Sequence, residues 1–302
     1  MARTYLLVDS RCNNACVFCD QGQLDEIVSP TADLKDHLCS LAGDAVDEVI
    51  FCGGEVTLDL ERLEELVAFA QEQGFETIAI QTNGRRLAYA NVVQRLVEAG
   101  VNRFEVSLHG VNEVTHDWVT RDPGAFKQTI RGLKAIRRAG AEIALHMVLL
   151  RSNYRQIKDM VLLAAKLRVR ALNLRFVVPE GRIAEEETLP SLVPKYSLVK
   201  PELMLAKSIA KRMGVSLYLH DFPDCVVGPL APDLVRDAAS WVGVDEEKWG
   251  RIEGVYAENC DSCAMKSQCM GVPQPYLSYY GSMELSPIVQ QVPVESDREI
   301  AV

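Results

Sequence analysis

Positive charge is scarce in this sequence, and long apolar runs are absent from it. The 302 residues include 32 Lys and Arg against 42 Asp and Glu, which gives a net charge of −10. Broad nucleic-acid binding requires a basic surface, so this balance argues against it while allowing a local basic patch. No apolar stretch is long enough to cross a bilayer, which argues against a membrane protein.

A secretion signal is also missing. The apolar run that follows Arg3 is only a few residues long, shorter than the apolar region of a signal peptide. We therefore expect a cytoplasmic protein. Its nine cysteines then favour metal ligation or free thiols over disulfides. Two of them, Cys39 and Cys52, fall within a predicted helix and a predicted strand, and we expect both to be buried apolar residues.

Strand and helix patterns alternate along the first part of the chain, as in parallel βα units. The predicted strands are 4–8, 48–52, 77–81, 103–108, 142–149 and 171–177. The predicted helices between them are 32–41, 60–73, 91–99, 126–139 and 154–167. Six such units predict an α/β fold, a partial (β/α)6 barrel of the TIM type, with its chemistry at the carboxyl ends of the strands.

The pattern changes after Gly181. We expect a connecting loop at 182–200, then a helix at 201–213 and a strand at 215–220. From Asp221 the sequence is irregular and rich in Pro, Gly and Cys, and such segments need a metal or disulfides to stay folded. The predicted divisions are a core barrel at 1–181, a connecting loop and helix at 182–214, a small cluster-stapled domain at 215–288 and an acidic, frayed tail at 289–302.

Three cysteines, Cys12, Cys16 and Cys19, directly follow the first strand. Thiolates at this density can wrap one iron–sulfur cluster. A four-iron cubane held by three cysteines has one open iron, which can bind and activate a ligand. Zinc and plain core thiols are the alternatives. Packing does not explain this density, and only Cys16 and Cys19 have the C-x-x-C spacing that is common in zinc sites.

The spacing resembles the cluster motif of the radical S-adenosylmethionine (SAM) superfamily. The resemblance implies that Cys12, Cys16 and Cys19 hold a [4Fe-4S] cluster whose open iron is chelated by the amino and carboxylate groups of SAM. Phe18 would then lie near the adenine. The resemblance also implies reductive cleavage of SAM to methionine and a 5′-deoxyadenosyl radical, which takes a hydrogen atom from the substrate. The electron would come from a donor of the flavodoxin or ferredoxin type.

The second strand ends in Gly53, Gly54 and Glu55. Glycines let a backbone approach a ligand closely or adopt positive φ, and a carboxylate beside them can hold an ammonium group. A matching motif in the radical SAM family binds the SAM amino group, although Val56 replaces the proline that usually follows. By itself this tripeptide is more typical of a turn, and its position after the second strand favours the SAM role.

Other strand ends supply further candidates for a SAM pocket. Asn83 starts an Asn-Gly pair, which is also common in simple turns. Ser107 and His109 point to one side of the chain, because side chains alternate along a strand. A lone histidine is usually a structural residue, so a structural role is the alternative to SAM binding for His109. The resemblance assigns to the SAM pocket Thr82, Asn83, Ser107, His109, Arg121 and Val178.

The fifth and sixth strands direct His146, Asn173 and Arg175 towards the barrel or its mouth. Arg175 could bind a substrate carboxylate, since a guanidinium group can donate two parallel hydrogen bonds to the two carboxylate oxygens. A barrel ion pair between Arg175 and an acidic neighbour explains its place equally well.

A second cysteine set lies near the C-terminus. Cys260-x-x-Cys263 followed by Cys269 is typical of a metal site, and Cys225 lies upstream. The spacing alone leaves zinc open. Three of these cysteines resemble the start of the auxiliary-cluster motif of SPASM and twitch extensions, which implies one auxiliary [4Fe-4S] cluster. Cys225 as a fourth ligand would close that cluster for electron transfer or structure. Without it, an open iron would face the substrate.

The resemblance to SPASM and twitch enzymes implies oxidative modification of a ribosomally made peptide by a crosslink, a dehydrogenation or an epimerisation. The chain begins almost at its first strand, so a peptide leader would bind the barrel or a separate peptide-recognition protein. One alternative is a dehydrogenase or epimerase of a small molecule or sugar in cofactor or natural-product biosynthesis. Another is a non-catalytic iron–sulfur carrier. A carrier needs no ammonium site, so Gly53-Gly54-Glu55 argues against it.

Overall fold

The strands form one open sheet in which every pairing is parallel. The computed structural model describes residues 3–19, 28–43, 46–235, 240–242 and 254–289. Its strands are β1 (Arg3–Asp9), β2 (Glu48–Gly53), β3 (Thr77–Thr82), β4 (Arg103–Ser107), β5 (Glu142–Leu149), β6 (Ala171–Phe176), β7 (Ser216–His220) and β8 (Ser240–Val242). They lie in the order β7-β6-β5-β4-β3-β2-β1-β8. The first six match the predicted strands closely, and the predicted α/β fold is confirmed.

Helices connect the strands and pack against the sheet in one apolar core. They are α1 (Thr31–Gly43), α2 (Leu60–Glu72), α3 (Val92–Ala99), α4 (Glu113–Thr120), α5 (Ala125–Ala139), α6 (Ile157–Leu167), α7 (Leu189–Leu192), α8 (Tyr196–Met213), α9 (Asp224–Val227) and α10 (Gln274–Tyr280). The helical period sets the buried face, so α2 turns Leu63, Leu66 and Val67 inwards. Within the described ranges, no helix combines the length and the apolar character needed to cross a membrane.

A seventh βα unit extends the barrel beyond the predicted six. Residues 182–200 are not the predicted loop, because they contain α7 and the start of α8. β7, which we predicted as part of the C-terminal domain, pairs with β6 and belongs to the barrel sheet. α8 buries Leu203 and Ala206. The helix predicted at 201–213 begins earlier, at Tyr196, and Pro201 lies inside α8. The other domain divisions stay predictions.

The barrel side of the sheet is apolar in one half and polar in the other. β1 to β3 contribute a small buried cluster of Tyr5, Ile50, Cys52 and Ala79. β4 to β7 contribute the polar residues Glu105, His146, Asn173 and His220. Buried polar groups are costly unless they are hydrogen-bonded, so the polar half requires the network described below.

The two cysteines outside the predicted clusters differ in exposure. Cys52 is buried as predicted, but Cys39 is exposed. Leu34 and Leu38 turn inwards from α1, and Cys39 is the next residue round the helix, beyond this apolar stripe. The predicted tail, apart from Val289, lies outside the described residues.

Candidate cluster and SAM site

The segment that holds the first three cysteines, residues 12–19, is anchored to the end of α4, and we call it the cluster loop. The N–H of Ala15 donates to the carbonyl of Thr120 at 3.0 Å. The N–H of Val17 donates to the carbonyl of Val119 at 2.9 Å. These bonds fix the loop at the carboxyl end of β1, where βα barrels carry their chemistry.

The Gly-Gly-Glu turn, residues 53–55, touches the backbone that leads into the cluster loop. The N–H of Gly54 donates to the carbonyl of Asp9 (2.6 Å), and the N–H of Glu55 donates to that of Arg11 (2.8 Å). A Cβ atom added to Gly54 would lie 2.1 Å from the Arg11 oxygen, and one added to Gly53 equally close to the Asp9 oxygen. The two glycines therefore allow close approach of the backbone of residues 9–11, and Gly53 has the positive φ (138°) that was the other expectation for this turn.

The Glu55 side chain is fully buried and joins the ends of β2 and β3. One carboxylate oxygen accepts hydrogen bonds from the Thr57 N–H (3.2 Å), the Thr57 hydroxyl and the Thr82 hydroxyl (2.7 Å). The other oxygen accepts from the Asn83 N–H (2.7 Å). A carboxylate has about four acceptor positions, so the second oxygen has room for a further donor such as an ammonium group. The SAM role of this turn stays a prediction.

Asn83 and Arg85 connect the end of β3 to the cluster loop. Asn83 Nδ2 donates to Asn13 Oδ1 (2.7 Å) and lies 3.9 Å from the Cys12 sulfur. Arg85 Nη1 donates to the carbonyl of Asn13 and to Asn14 Oδ1 (2.7 Å). Both asparagines lie between the first two cysteines, so the loop after β3 holds this part of the cluster loop in place.

Arg85 is in turn fixed by α5 and the segment before it. Its Nε donates to Gln128 Oε1 (2.7 Å), and its Nη1 forms an ion pair with Asp122 (2.9 Å). The side chain is only 13% exposed. Arg85 was not among the predicted site residues, because a basic residue after an Asn-Gly turn is common. Its position in the same loop as Asn83 was the one signal that could have pointed to it.

Phe18 packs on His109, which is one of two neighbouring buried histidines. Its ring meets that of His109 edge to face, with 4.9 Å between the centroids. His109 Nδ1 accepts from the Val148 N–H (3.2 Å), and the His109 N–H donates to His116 Nδ1 (3.0 Å). Burial lowers the pKa of His109 to about 3 and that of His116 to about 4, so both rings are neutral at pH 7. His109 thus supports Phe18, and its predicted SAM contact stays a prediction.

Three further predicted SAM residues lie around the barrel mouth. Ser107 is half-buried at the end of β4, and Val178 is half-buried just beyond β6. Arg121 is exposed and follows α4 in the left-handed conformation, with φ of 57°. Their assignment to SAM stays a prediction, whereas Thr82 and Asn83 belong to the hydrogen-bond network beside the cluster loop.

The thiols of the cluster loop suit an iron–sulfur cluster. Burial raises the pKa of Cys12 and of Cys16, and the Asn14 N–H donates to the Cys12 sulfur at 3.4 Å. Metal binding takes thiolates and releases their protons, and amide donors to sulfur stabilise the resulting charge. Among the described residues, no three Cys, His, Asp or Glu side chains are arranged for a single metal ion.

The four C-terminal cysteines, Cys225, Cys260, Cys263 and Cys269, line one pocket of about 390 Å³. The Gly271 N–H donates to the Cys269 sulfur at 3.5 Å. Burial raises the pKa of Cys225 and of Cys269, so metal binding here also displaces protons. Four thiols around one pocket are a complete ligand set for a closed [4Fe-4S] cluster, and the residues fit the predicted auxiliary group.

A polar network lies inside the barrel. Glu105 is buried and contacts Gln81 Nε2 (3.0 Å) and His146 Nε2 (3.2 Å). His146 Nε2 lies 3.2 Å from the Asn173 amide nitrogen, and the Asn173 amide oxygen lies 2.9 Å from His220 Nε2. Burial raises the pKa of Glu105, but the interactions with His146, Arg103 and Gln81 together outweigh it and hold that pKa at about 2. The network presents donors and acceptors to the barrel interior.

Arg175 forms an ion pair with Asp221 at 2.6 Å. This is the barrel ion pair that the sequence analysis named as the alternative to a carboxylate clamp. The arginine side chain is 47% exposed, and a substrate carboxylate would have to compete with Asp221 for it.

Comparisons with known proteins bear on the family. The model of the radical SAM superfamily matches residues 7–164. The AdoMet-dependent heme synthase of Oleidesulfovibrio alaskensis is 33% identical over 137 residues, which cover 45% of this chain and 34% of that protein. The GTP 3′,8-cyclase of Rhodopseudomonas palustris is 26% identical over 291 residues, which cover 92% of this chain and 77% of the cyclase. The chain spans about a third to a half of the length of the heme synthases it matches.

Solved structures share the fold. Streptococcus suis SuiB bound to precursor peptide SuiA has a TM-score of 0.59 at 17% identity, over 82% of this chain and 55% of SuiB. Native anSMEcpe with bound AdoMet and Kp18Cys peptide has a TM-score of 0.59 at 17% identity, over 72% of this chain and 64% of that chain. The family match spans more than half of the chain and includes the cluster loop and the Gly-Gly-Glu turn. The chain therefore belongs to the radical SAM superfamily.

Proposed function

We propose that this radical SAM enzyme oxidises a polar substrate held in the barrel, with SAM bound between the cluster loop and the Gly-Gly-Glu turn. The observation that carries the proposal is that the turn is hydrogen-bonded to the backbone that leads into the cluster loop, through the Gly54–Asp9 bond of 2.6 Å and the Glu55–Arg11 bond of 2.8 Å. When bound, the open-iron cluster supplies the electron that cleaves SAM, SAM supplies the hydrogen-abstracting 5′-deoxyadenosyl radical, and the auxiliary cluster supplies an acceptor for the electron left on the substrate.

The side chains around this contact have separate tasks in the proposal. Cys12, Cys16 and Cys19 hold the open-iron cluster. Glu55 offers its second oxygen to the SAM amino group, because its first oxygen is occupied by three protein donors. Phe18, supported by the neutral ring of His109 at 4.9 Å, forms a wall for the adenine.

The C-terminal pocket has an electron-transfer or structural task. Cys225, Cys260, Cys263 and Cys269 line the same pocket, and four thiol ligands leave no iron of a cubane open. A closed cluster cannot ligate the substrate, so we propose that the substrate binds in the barrel and that the auxiliary cluster exchanges electrons only.

A small polar molecule is the substrate class that the barrel supports best. Glu105, His146, Asn173 and His220 line its polar half, and hydrogen-bonding groups in a pocket select substrates that can pair with them. The GTP 3′,8-cyclase, named for a nucleotide substrate, matches nearly the whole chain, whereas the peptide-bound structures share the fold at low identity. This favours the small-molecule alternative of the sequence analysis.

Oxidative modification of a ribosomally made peptide is the second candidate. Among the described strands, β7 and β8 end the sheet and do not pair with each other, which is compatible with entry of a longer chain from that side. A separate peptide-recognition protein would then deliver the precursor.

The first test is SAM cleavage. Anaerobically reconstituted protein with dithionite should release 5′-deoxyadenosine and methionine. A variant with Cys12, Cys16 and Cys19 replaced by Ala, which we call the triad variant, should release neither. Wild-type protein should bind about eight irons per chain and the triad variant about four, as two all-cysteine cubanes predict. Continued cleavage by the triad variant would refute the site, and zinc in place of its remaining iron would refute the auxiliary cluster.

The substrate class can be tested with deuterated extracts. A hydrogen atom taken from a deuterated substrate appears as deuterium in 5′-deoxyadenosine. An extract from cells grown in heavy water should therefore label the nucleoside, and digestion of that extract with peptidases should leave the labelling unchanged. Loss of the label after digestion would overturn the small-molecule proposal in favour of a peptide.

A further inference from the structure

We propose that the outer face of α4 and α5 is the docking surface for an acidic one-electron carrier protein of the flavodoxin or ferredoxin type. The inference rests on the proposed function, because only a redox enzyme needs such a partner. It adds a location and a recognition chemistry to the electron donor expected from the family resemblance.

The charge of α5 carries the first part of the inference. The helix contains five cations and no acidic residue, and its solvent face carries Lys127, Arg131, Lys134, Arg137 and Arg138. Four of them, at 127, 131, 134 and 138, recur at helical spacing and form one stripe about 16 Å long. We call these four the basic stripe. In a chain with a net charge of −10, such a local surface of positive charge attracts an acidic partner.

The cations are largely available to a partner. Lys127 forms an ion pair with Glu113 at 2.8 Å and still leaves 62% of its side chain exposed. Arg131, Lys134 and Arg138 are exposed and form no ion pair with any other described residue. Unpaired rim charges mainly speed association and set its salt dependence, as transient electron carriers require.

A path of hydrogen bonds joins α5 to the cluster loop. Gln128 of α5 accepts from Arg85, and Arg85 donates to Asn14 within the cluster loop, with both bonds at 2.7 Å. On the loop itself, Cys12 and Ala15 are exposed. A carrier seated on the stripe would therefore meet the most exposed cysteine of the cluster loop.

An apolar pair on α4 supplies an anchor beside the charges. Val114 is 83% exposed and Trp118 is 48% exposed, and one helical turn separates them, so they share a face. The ion pair between Glu113 and Lys127 places the starts of α4 and α5 side by side. Exposed tryptophan is enriched among residues that anchor interfaces, and redox encounters need only a small interface, below about 1,200 Å². Apolar anchoring favours a protein partner over nucleic acid.

The test compares two reductants on two charge-reversal variants. The stripe variant is R131E/K134E/R138E. The matched control is K166E/K211E/R212E, which makes the same change in net charge on exposed residues of α6 and α8. At low ionic strength, SAM cleavage driven by a reduced acidic flavodoxin should fall at least 10-fold in the stripe variant. Cleavage driven by dithionite, a small molecule that needs no docking surface, should stay within about 2-fold.

The control variant should keep both rates, and Trp118→Ala should weaken flavodoxin binding without changing the dithionite rate. Equal flavodoxin rates in the stripe variant and the wild type would overturn the proposal. An equal fall with both reductants would also overturn it, because the helix would then act through the cluster loop. The wild type could instead bind a single-stranded RNA oligonucleotide more tightly than it binds flavodoxin, with the RNA binding lost in the stripe variant. That result would assign the surface to nucleic acid.

Failure of the proposed function has a different signature, which is absence of dithionite-driven SAM cleavage in the wild type. In that case the dissociation constant of oxidised flavodoxin decides the docking question without any turnover. A constant raised at least 10-fold in the stripe variant alone supports docking, and an unchanged constant refutes it.

Discussion

Replacement of Glu55 by Ala should weaken the fold and SAM binding together. The carboxylate is fully buried and accepts from two backbone N–H groups, those of Thr57 and Asn83, and from two hydroxyls. Ala leaves all four donors without this acceptor. The residue also faces the predicted position of the SAM amino group, so both roles depend on the same two oxygens.

The backbone donors set the size of the effect on stability. A buried donor left unsatisfied costs about 1–3 kcal/mol, so the two N–H groups together predict a loss of about 2–6 kcal/mol. The hydroxyls of Thr57 and Thr82 can rotate to other acceptors and should add little. Loss of the partner of a buried ammonium should weaken SAM binding by about 2–5 kcal/mol.

Two measurements on each variant separate these roles. Thermal unfolding should shift by at least about 4 °C, since each kcal/mol moves the midpoint of a large domain by about 2–4 °C. Anaerobic equilibrium dialysis with SAM gives the affinity. Thr82→Val is the matched control, because it removes one hydroxyl donor and leaves the carboxylate in place. An Ala variant with unchanged midpoint and unchanged SAM affinity would refute both parts of the reasoning.

Four other outcomes are expected. Arg85→Met should release the cluster loop and so slow dithionite-driven SAM cleavage about 10-fold. It should also alter the electron paramagnetic resonance spectrum of the reduced cluster, and Arg85→Lys should partly restore both properties. An unchanged spectrum would contradict this positioning role. Gly54→Ala should lower the unfolding midpoint, because its Cβ would lie 2.1 Å from a backbone oxygen; an unchanged midpoint would contradict the close approach. His109 and His116 are buried and neutral, and their pKa values are lowered to about 3 and about 4. The contribution of these histidines to the free energy of unfolding should therefore be complete above about pH 6.5 and should decrease from there towards pH 4, by on the order of 1 kcal/mol per pH unit for each histidine. Equal stability at pH 7 and pH 5 would contradict this expectation. Cys225→Ala should reduce the iron content and change the auxiliary spectrum; full iron content would remove Cys225 from the ligand set.

Local patterns were sufficient to predict the first six strands. Six strands agree closely with the predicted ones because apolar, β-branched runs bounded by turn residues are short-range signals. The cysteine spacings predicted two metal sites in the same way, because each site draws most of its ligands from one short segment. The radical SAM family was confirmed through the segment that contains the first of these motifs.

Contacts between segments that are distant along the chain could be identified only from the tertiary structure. The pairing of β7 with β6 depends on the packing of α8, which no local pattern specifies, so the seventh unit was misplaced. Arg85 acquires its task only when the loop after β3 meets Asn13 and Asn14, about 70 residues earlier along the chain. Gly54 was recognised as special, but only the fold showed that it lies against the backbone of Arg11. The sequence by itself determines which segments become strands and which residues can hold metal, since both depend on near neighbours. The partners of those segments are decided by burial and close packing of the whole chain, which act over distances in space and not along the sequence.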